Sequence, residues 1–152
     1  MSTITIRRGR LEDVEQIVSF QLEMALETEG LALDRETVSR GVRAVFEDAS
    51  KGEYWVAEKD GQVVGGLLGI PEWSDWRNGT VLWLHSLYVV PEFRRQGVFR
   101  GLFMALKARV EASPGLKGLR LYVDRRNARA RRIYERFGMD GEHYQVYEWL
   151  KV

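Results

Sequence analysis

The sequence predicts an α+β fold of three layers, in which helices flank a mixed central sheet whose N-terminal part is an antiparallel meander. A single domain spanning residues 1–152 is expected. Three observations predict this. Stretches of two-residue alternation interleave with stretches of helical spacing along the whole chain. Asp60-Gly61, between two apolar runs, is a strong hairpin signal. The stretch from Leu87 to Phe103 passes from an apolar β-prone run, through Pro91 and a basic turn, into helical spacing at Val98, Leu102, Leu106 and Val110.

Taken in order, Thr3 to Arg8 alternates β-branched and polar residues and reads as a first strand. Val14, Ile17, Val18, Leu22 and Ala25 predict a helix from Leu11 to about Thr28, stopped before Gly30. Within it, Glu23 to Gly30 is acidic, and reads either as a solvated helix end or as an irregular substrate mouth using Glu27 or Glu29. Asp34 is a good N-cap for a second helix through Val38, Val42, Val45 and Phe46. Two hairpin strands follow, Tyr54–Lys59 and Gln62–Ile70. Pro71 to Gly79 reads as a polar, aromatic loop in which Trp73 and Trp76 either cap the core or wall a ligand site. Thr80 to Val90 is the next strand. After the central turn and its helix, Ser113 to Gly118 reads as a loop and Leu119 to Asp124 as a strand. Asn127 to Phe137 is a helix with Ala130, Ile133, Tyr134 and Phe137 on one face, ended by Gly138. His143 to Val152 alternates enough to predict a closing strand.

Composition excludes several classes. There is no cysteine, hence no disulfide framework, thiolate nucleophile or cysteine metal site, and His85 and His143 stand too far apart for a local metal motif. No metal is expected. No apolar run approaches the ~20 residues of a membrane helix, and the N-terminus lacks a signal-peptide pattern, so no membrane partner and a cytoplasmic location are expected. The net charge of +1 hides a segregation: residues 93–136 carry 13 Lys+Arg and 3 Asp+Glu. Such a block suits a nucleic-acid surface or a pocket for several phosphates. The arginines of residues 125–136 lack the interleaved aromatics of a nucleic-acid surface and lie on the solvent side of a helix, so no nucleic-acid partner is expected.

The central turn itself looks built to hold phosphate. A helix start presents unsatisfied N–H groups and the positive end of the macrodipole. Gly97 permits close approach, and Arg94, Arg95 and Arg100 add charge. A nucleotide P-loop is excluded because no Gly-Lys-Ser/Thr follows, and a dinucleotide fingerprint because only Gly97 and Gly101 are present. Arg94-Arg95-Gln96-Gly97-Val98 instead resembles the Arg/Gln-x-x-Gly-x-Gly/Ala turn of the GNAT superfamily of acyl-CoA-dependent N-acetyltransferases, with Phe99 where Gly or Ala is usual. A second stretch, Asn127-x-x-Ala130-x-x-Ile133-Tyr134-x-x-x-Gly138-Met139, resembles that family's Asn-x-x-Ala-x-x-Leu-Tyr-x-x-x-Gly-Phe signature.

The resemblance covers the whole chain and implies a GNAT-like sheet whose two parallel strands splay at an acetyl-CoA cleft. It implies an acetyl-CoA-dependent N-acetyltransferase acting on a primary amine, probed against two alternatives: a CoA-binding sensor or regulator without turnover, and a protein amine acetyltransferase. For cofactor binding it implies Leu87, Tyr88 and Val89 on the strand, Arg94, Arg95, Gln96, Gly97, Val98, Phe99 and Arg100 at the turn, and Asn127, Ala130 and Tyr134 on the last helix. The Leu87 N–H is implied near the thioester oxygen, with Tyr134 protonating the thiolate. Leu84 to Val89 resembles the histidine-bearing strand of the arylalkylamine members, which makes His85 the leading general base, its parity placing it on one strand face with Leu87 and Val89. Glu27, Glu29, Glu72, Trp73, Asp75 and Trp76 are the acceptor-side candidates. The implied partner is a small-molecule amine, and homodimerisation is a further expectation of the resemblance.

Overall fold

The computed structural model describes residues 3–151. Met1, Ser2 and Val152, the last of them in the expected closing strand, lie outside the described residues. The chain packs as two compact units that divide between Arg120 and Leu121.

The first unit is a five-stranded sheet with three helices. Its strands are β1 (Thr5–Arg8), β2 (Glu53–Lys59), β3 (Gln62–Ser74), β4 (Gly79–Val89) and β5 (Leu116–Arg120), in the spatial order β1-β2-β3-β4-β5. The first four run antiparallel to their neighbours and β5 runs parallel to β4. Helices α1 (Val14–Glu29) and α2 (Arg35–Glu47) pack on one face. There Val14, Ile17, Val18 and Val42 form a core with Tyr54 and Val56 of β2. Helix α3 (Val98–Ala112) packs on the other face through Val98, Leu102, Phe103 and Leu106, all buried. A methyl built at Gly65 would lie 3.1 Å from Val98 and one at Gly69 3.4 Å from Leu106, so glycines let α3 approach β3 closely.

Local signals explain most element boundaries. Gly30 ends α1 in the left-handed conformation at φ 62°. The acidic stretch before it is therefore regular helix to Glu29, not an irregular mouth. Asp34 caps α2 by accepting from the Thr37 N–H at 3.0 Å. Asp60 and Gly61, at φ 53° and 74°, form the two-residue turn between β2 and β3.

Three boundaries differ from expectation. Strand β3 continues through Pro71 to Ser74, which leaves only residues 75–78 as the turn to β4. Proline is tolerated because the last β2 pair is Glu53 with Gly69, so the missing N–H of Pro71 falls beyond the β2 ladder. Strand β5 begins at Leu116, directly after Pro114-Gly115, and stops at Arg120. It is held by its four pairs with β4, which the one-sided alternation of Leu119, Leu121 and Val123 does not reveal. In the second unit, α4 (Ala128–Arg136) is capped by the Asn127 side chain, which accepts from the Ala130 N–H at 3.1 Å. The expected closing strand is absent among the described residues: Met139 to Lys151 contains no strand.

A buried ion pair fastens the entry of α1 to the sheet. Arg7 of β1 donates to both oxygens of Asp13, at 2.8 and 3.0 Å, and the Arg10 N–H donates to Asp13 at 2.7 Å. Burial pushes the Asp13 carboxyl up, but the Arg7 and Arg10 bonds outweigh it and hold the group below its usual range. The stability this contributes is present above the unfolded-state pKa of ~4 and is lost as pH falls through the folded value. Asp13→Asn is therefore expected to cost about 3 kcal/mol in urea unfolding at neutral pH. The gap to wild type should narrow in the same measurement as pH drops below ~4; a gap independent of pH would show that the charge is not what matters.

Candidate active site

The site is organised by an irregularity in β4. The ladder with β3 pairs Leu68 with His85 and Gly66 with Tyr88, so Ser86 and Leu87 together face Leu67. This is a β-bulge, and Ser86 sits in it at φ 53°. Its consequence is a change of parity. Residues opposite each other in an antiparallel pair share a face, so His85 and Tyr88 lie on the α1 side with Leu68 and Gly66. Val89 lies on the α3 side with Gly65. The expectation that His85, Leu87 and Val89 share one face is thereby corrected: the bulge inverts the alternation between His85 and Val89.

The second irregularity is on the other edge of β4. Its pairs with β5 end at Trp83 with Arg120, although β4 continues to Val89. From Leu84 to Val89 the strand thus has β3 on one side and no β5 ladder on the other. Beyond it, a short 3-10 turn, Pro91–Phe93, leads to Arg94. Arg95 at φ 65° and Gly97 at φ 87° then place two left-handed residues just before α3, an arrangement that turns successive amides toward one point. The first helical bond, from the Gly101 N–H to the Gly97 carbonyl, leaves the N–H groups before it directed out of the helix end.

The side chains around this turn are not equivalent. Arg94 donates from both terminal nitrogens to Glu27 of α1, at 2.7 and 2.9 Å, and from Nε to the Val89 carbonyl at 2.9 Å. Its guanidinium also lies 5.4 Å from the centre of the Tyr88 ring. Tyr88 is buried, stacks obliquely on Phe20 and donates its hydroxyl to Glu23 at 3.0 Å. Burial, with the Glu23 carboxylate, pushes its phenol up to about 12. So Arg94 and the Tyr88 side chain serve the joint between β4 and α1, anchored by Glu27 and Glu23 respectively, and Glu27 is not an open acceptor group. Gln96 donates to the Glu92 carbonyl and accepts from Lys59. Arg95 and Gly97 are exposed, Val98 is buried in the α3 core, and Phe99 is half-buried.

The acceptor-side candidates are spread out. Glu29 is exposed at the end of α1. Glu72 accepts from Arg120 at 2.7 Å, bridging β3 and β5. Trp73 on β3 and Trp76 in the turn are exposed, so neither caps the core, and Asp75 accepts from the Trp76 N–H. His85 is half-buried beside Trp83, ring centres 6.2 Å apart, and burial lowers its pKa. Ala130 and Tyr134 lie on α4, which Asn127 caps, and burial pushes the Tyr134 phenol up to about 12. Sequence reasoning missed Trp83 and Glu23. The spacing of Glu23 and Glu27, one helical turn apart, was a usable signal that both face one neighbour. Among the described residues there is no cluster of groups able to hold a metal ion, and no helix is long and apolar enough to cross a membrane.

A five-stranded mixed sheet with an opened β4 edge, a basic turn and a helix start at its end defines a GNAT-type acyltransferase. The chain belongs to the acetyltransferase (GNAT) family, whose model matches residues 13–139. It is 34% identical over 134 residues to an uncharacterized N-acetyltransferase of Archaeoglobus fulgidus, a match covering 85% of this chain and 88% of that one. The crystal structure of a possible acetyltransferase from Clostridium difficile 630 is 39% identical, with a TM-score of 0.92 and 98% of each chain covered. The same fold recurs at 18% identity, TM-score 0.75, in an aminoglycoside acetyltransferase from an uncultured soil metagenomic sample in complex with sisomicin, covering 98% of this chain and 96% of that one.

The different commitments of the two arginines are measurable. Arg94→Ala is expected to cost about 1 kcal/mol, a figure already reduced for the partial exposure of its partners, and to lower the melting temperature by a few degrees. Arg95→Ala should leave the melting temperature within about a degree of wild type. Equal shifts in thermal scans of the two variants would contradict this division.

Proposed function

We propose that the chain transfers an acetyl group from acetyl-CoA to the primary amine of a small molecule, by direct attack with both substrates bound. The observation that supports this best is the Leu84–Val89 half of β4, bulged against β3, open toward β5, and leading into the left-handed turn before α3. The turn suits a pyrophosphate: a methyl built at Gly97 would meet nothing within 4 Å, so the space over its amides is open. A neighbour of the same fold binds the aminoglycoside sisomicin, which keeps a small-molecule amine within the reach of this architecture.

When bound, acetyl-CoA supplies an acyl group activated by a thiol leaving group. The backbone of Leu87 and Val89 would hold the amide-bearing arm as an added strand is held, with Asn127 and Ala130 as further contacts. The Leu87 N–H, displaced from the regular ladder by the bulge, would stabilise negative charge on the acyl oxygen. Arg95, together with the turn amides, would meet the pyrophosphate. His85 would accept the amine proton; burial lowers its pKa and so favours the neutral, accepting imidazole at pH 7. Tyr134 would donate to the thiolate, its raised pKa of about 12 keeping the phenol protonated at that pH. On the acceptor side Glu29, Glu72, Trp73, Asp75 and Trp76 offer charge and apolar surface.

Three measurements test the reading. Gly97→Val places a β-branched residue at φ 87°, and should weaken acetyl-CoA binding by titration calorimetry at least tenfold; unchanged affinity in a folded variant would move the cofactor away from this turn. In a screen of amines read by released thiol, His85→Ala should reduce turnover by roughly 10²-fold, the deficit shrinking as pH rises and more amine is neutral. Tyr134→Phe should lower kcat while acetyl-CoA affinity and melting temperature hold, since the hydroxyl acts only as charge builds on sulfur. Wild-type turnover in either variant would reassign the proton it is given.

A further inference from the structure

Residues directly opposite in an antiparallel ladder share a face of the sheet, as do alternate residues of one strand. From Ser74 with Gly79 to Leu68 with His85, the pairs of β3 and β4 run without a break in register. Glu72 and Ile70 therefore stand on one face with Val81, Trp83 and His85, the face on which α1 packs. β5 adds one residue to this row. Arg120 pairs with Trp83, and its guanidinium reaches across β4 to Glu72 on β3, Nη1 to Oε1 at 2.7 Å.

The row has a direction. His85 comes first, Trp83 next with its ring centre 6.2 Å away, and the Arg120–Glu72 pair last, where Glu72 stands opposite Val81. From His85 to Val81 the strand advances by roughly 13 Å. Trp83 and His85 are half-buried, so each keeps part of its ring open to solvent.

The ion pair at the far end is uneven. The Arg120 side chain is 28% exposed and that of Glu72 is 44% exposed. A carboxylate or phosphate that replaced Glu72 would leave the guanidinium compensated and return Glu72 to water at small cost. A cation that took Glu72 would strip the more covered member of its carboxylate, which is the costlier exchange. The planar fork of arginine also fixes the orientation of a carboxylate or phosphate.

The geometry points to an acceptor that carries an acidic group at the end opposite its amine, joined by an apolar body long enough to cross Trp83. The amine meets His85, the body lies along the Trp83 ring, and the acidic group takes the place of Glu72 on Arg120. Trp83 and Arg120 are then specificity-determining residues, and Glu72 holds the arginine until the substrate arrives. This rests on the reading of His85 as acceptor of the amine proton. It narrows the small-molecule amines to elongated amino acids and amino phosphates, and sets polyamines aside.

The probes are ω-aminooctanoate, its carboxamide, ω-aminoheptyl phosphate and diaminooctane, all of similar length, with glycine as an acid too short to span the row. Rates are read as thiol released from acetyl-CoA. In wild type, kcat/KM for one of the acid-ended amines should exceed that of the carboxamide roughly tenfold. Whichever acid leads, carboxylate or phosphate, identifies the group. Arg120→Ala should bring the ratio close to one, whereas Glu72→Gln, which removes the competing carboxylate, should raise it severalfold. Glycine should be no better than the carboxamide. Each ratio compares two substrates on one variant, so general damage to the fold cancels. A wild-type ratio near one, a preference for diaminooctane, or a ratio that Arg120→Ala leaves unchanged overturns the proposal. The same amines are titrated by calorimetry into protein saturated with coenzyme A, which separates recognition from transfer. Selective binding of an acid-ended amine without thiol release upholds the recognition and removes the transfer; thiol release without selectivity does the reverse, and the absence of both overturns both.

Discussion

Strand β4 must satisfy neighbours on both sides with one backbone, and the rest of the architecture depends on how it does so. Its first half is paired on both sides and anchors β5. Its second half keeps β3 but carries one residue too many, and the extra residue is accommodated at Ser86 and Leu87. A bulge costs ladder regularity, and here the cost is concentrated in the half of β4 that β5 does not pair. Gly65 and Gly66 on β3 belong to the same solution. A methyl at Gly65 would lie 2.9 Å from the Tyr88 carbonyl oxygen, so no larger residue could face the strand just past the bulge without displacing it.

Charge in this protein is spent largely on fastening its elements together. Arg7 with Asp13 fastens β1 to the start of α1, and Arg94 with Glu27 fastens the turn before α3 to its end. Arg109 on α3 reaches Glu53 of β2, which also meets Arg8. The basic excess of residues 93–136 is therefore not a uniform field waiting for phosphates. Part of it is neutralised by carboxylates from the N-terminal half, and what the turn presents outward is chiefly backbone amides, helix dipole and the exposed Arg95.

What was legible in the sequence is what local chemistry determines. Asp34 as a cap, Gly30 as a stop, Asp60-Gly61 as a turn and the glycine before α3 are each decided within a few residues, and each is where it was expected. The order of elements as far as α4 followed from them and from periodicity. Facts about ladders were not legible. The bulge changes the facing of His85 relative to Val89 without altering the apolar pattern of Leu84–Val90. The true start of β5 depends on what Thr80 to Trp83 offers it, and Pro71 survives in β3 only because β2 has already ended. The pairing of Arg94 with Glu27 joins residues 67 positions apart, which no local window can register.

That pairing has a mechanical meaning. With Glu27 accepting from both terminal nitrogens and the Val89 carbonyl from Nε, three of the five Arg94 N–H groups are committed, to two different elements. The end of α1, the end of β4 and the entry to α3 are consequently tied at one hub. The turn and the end of α1 thus share one side chain, and its removal would loosen both ends together.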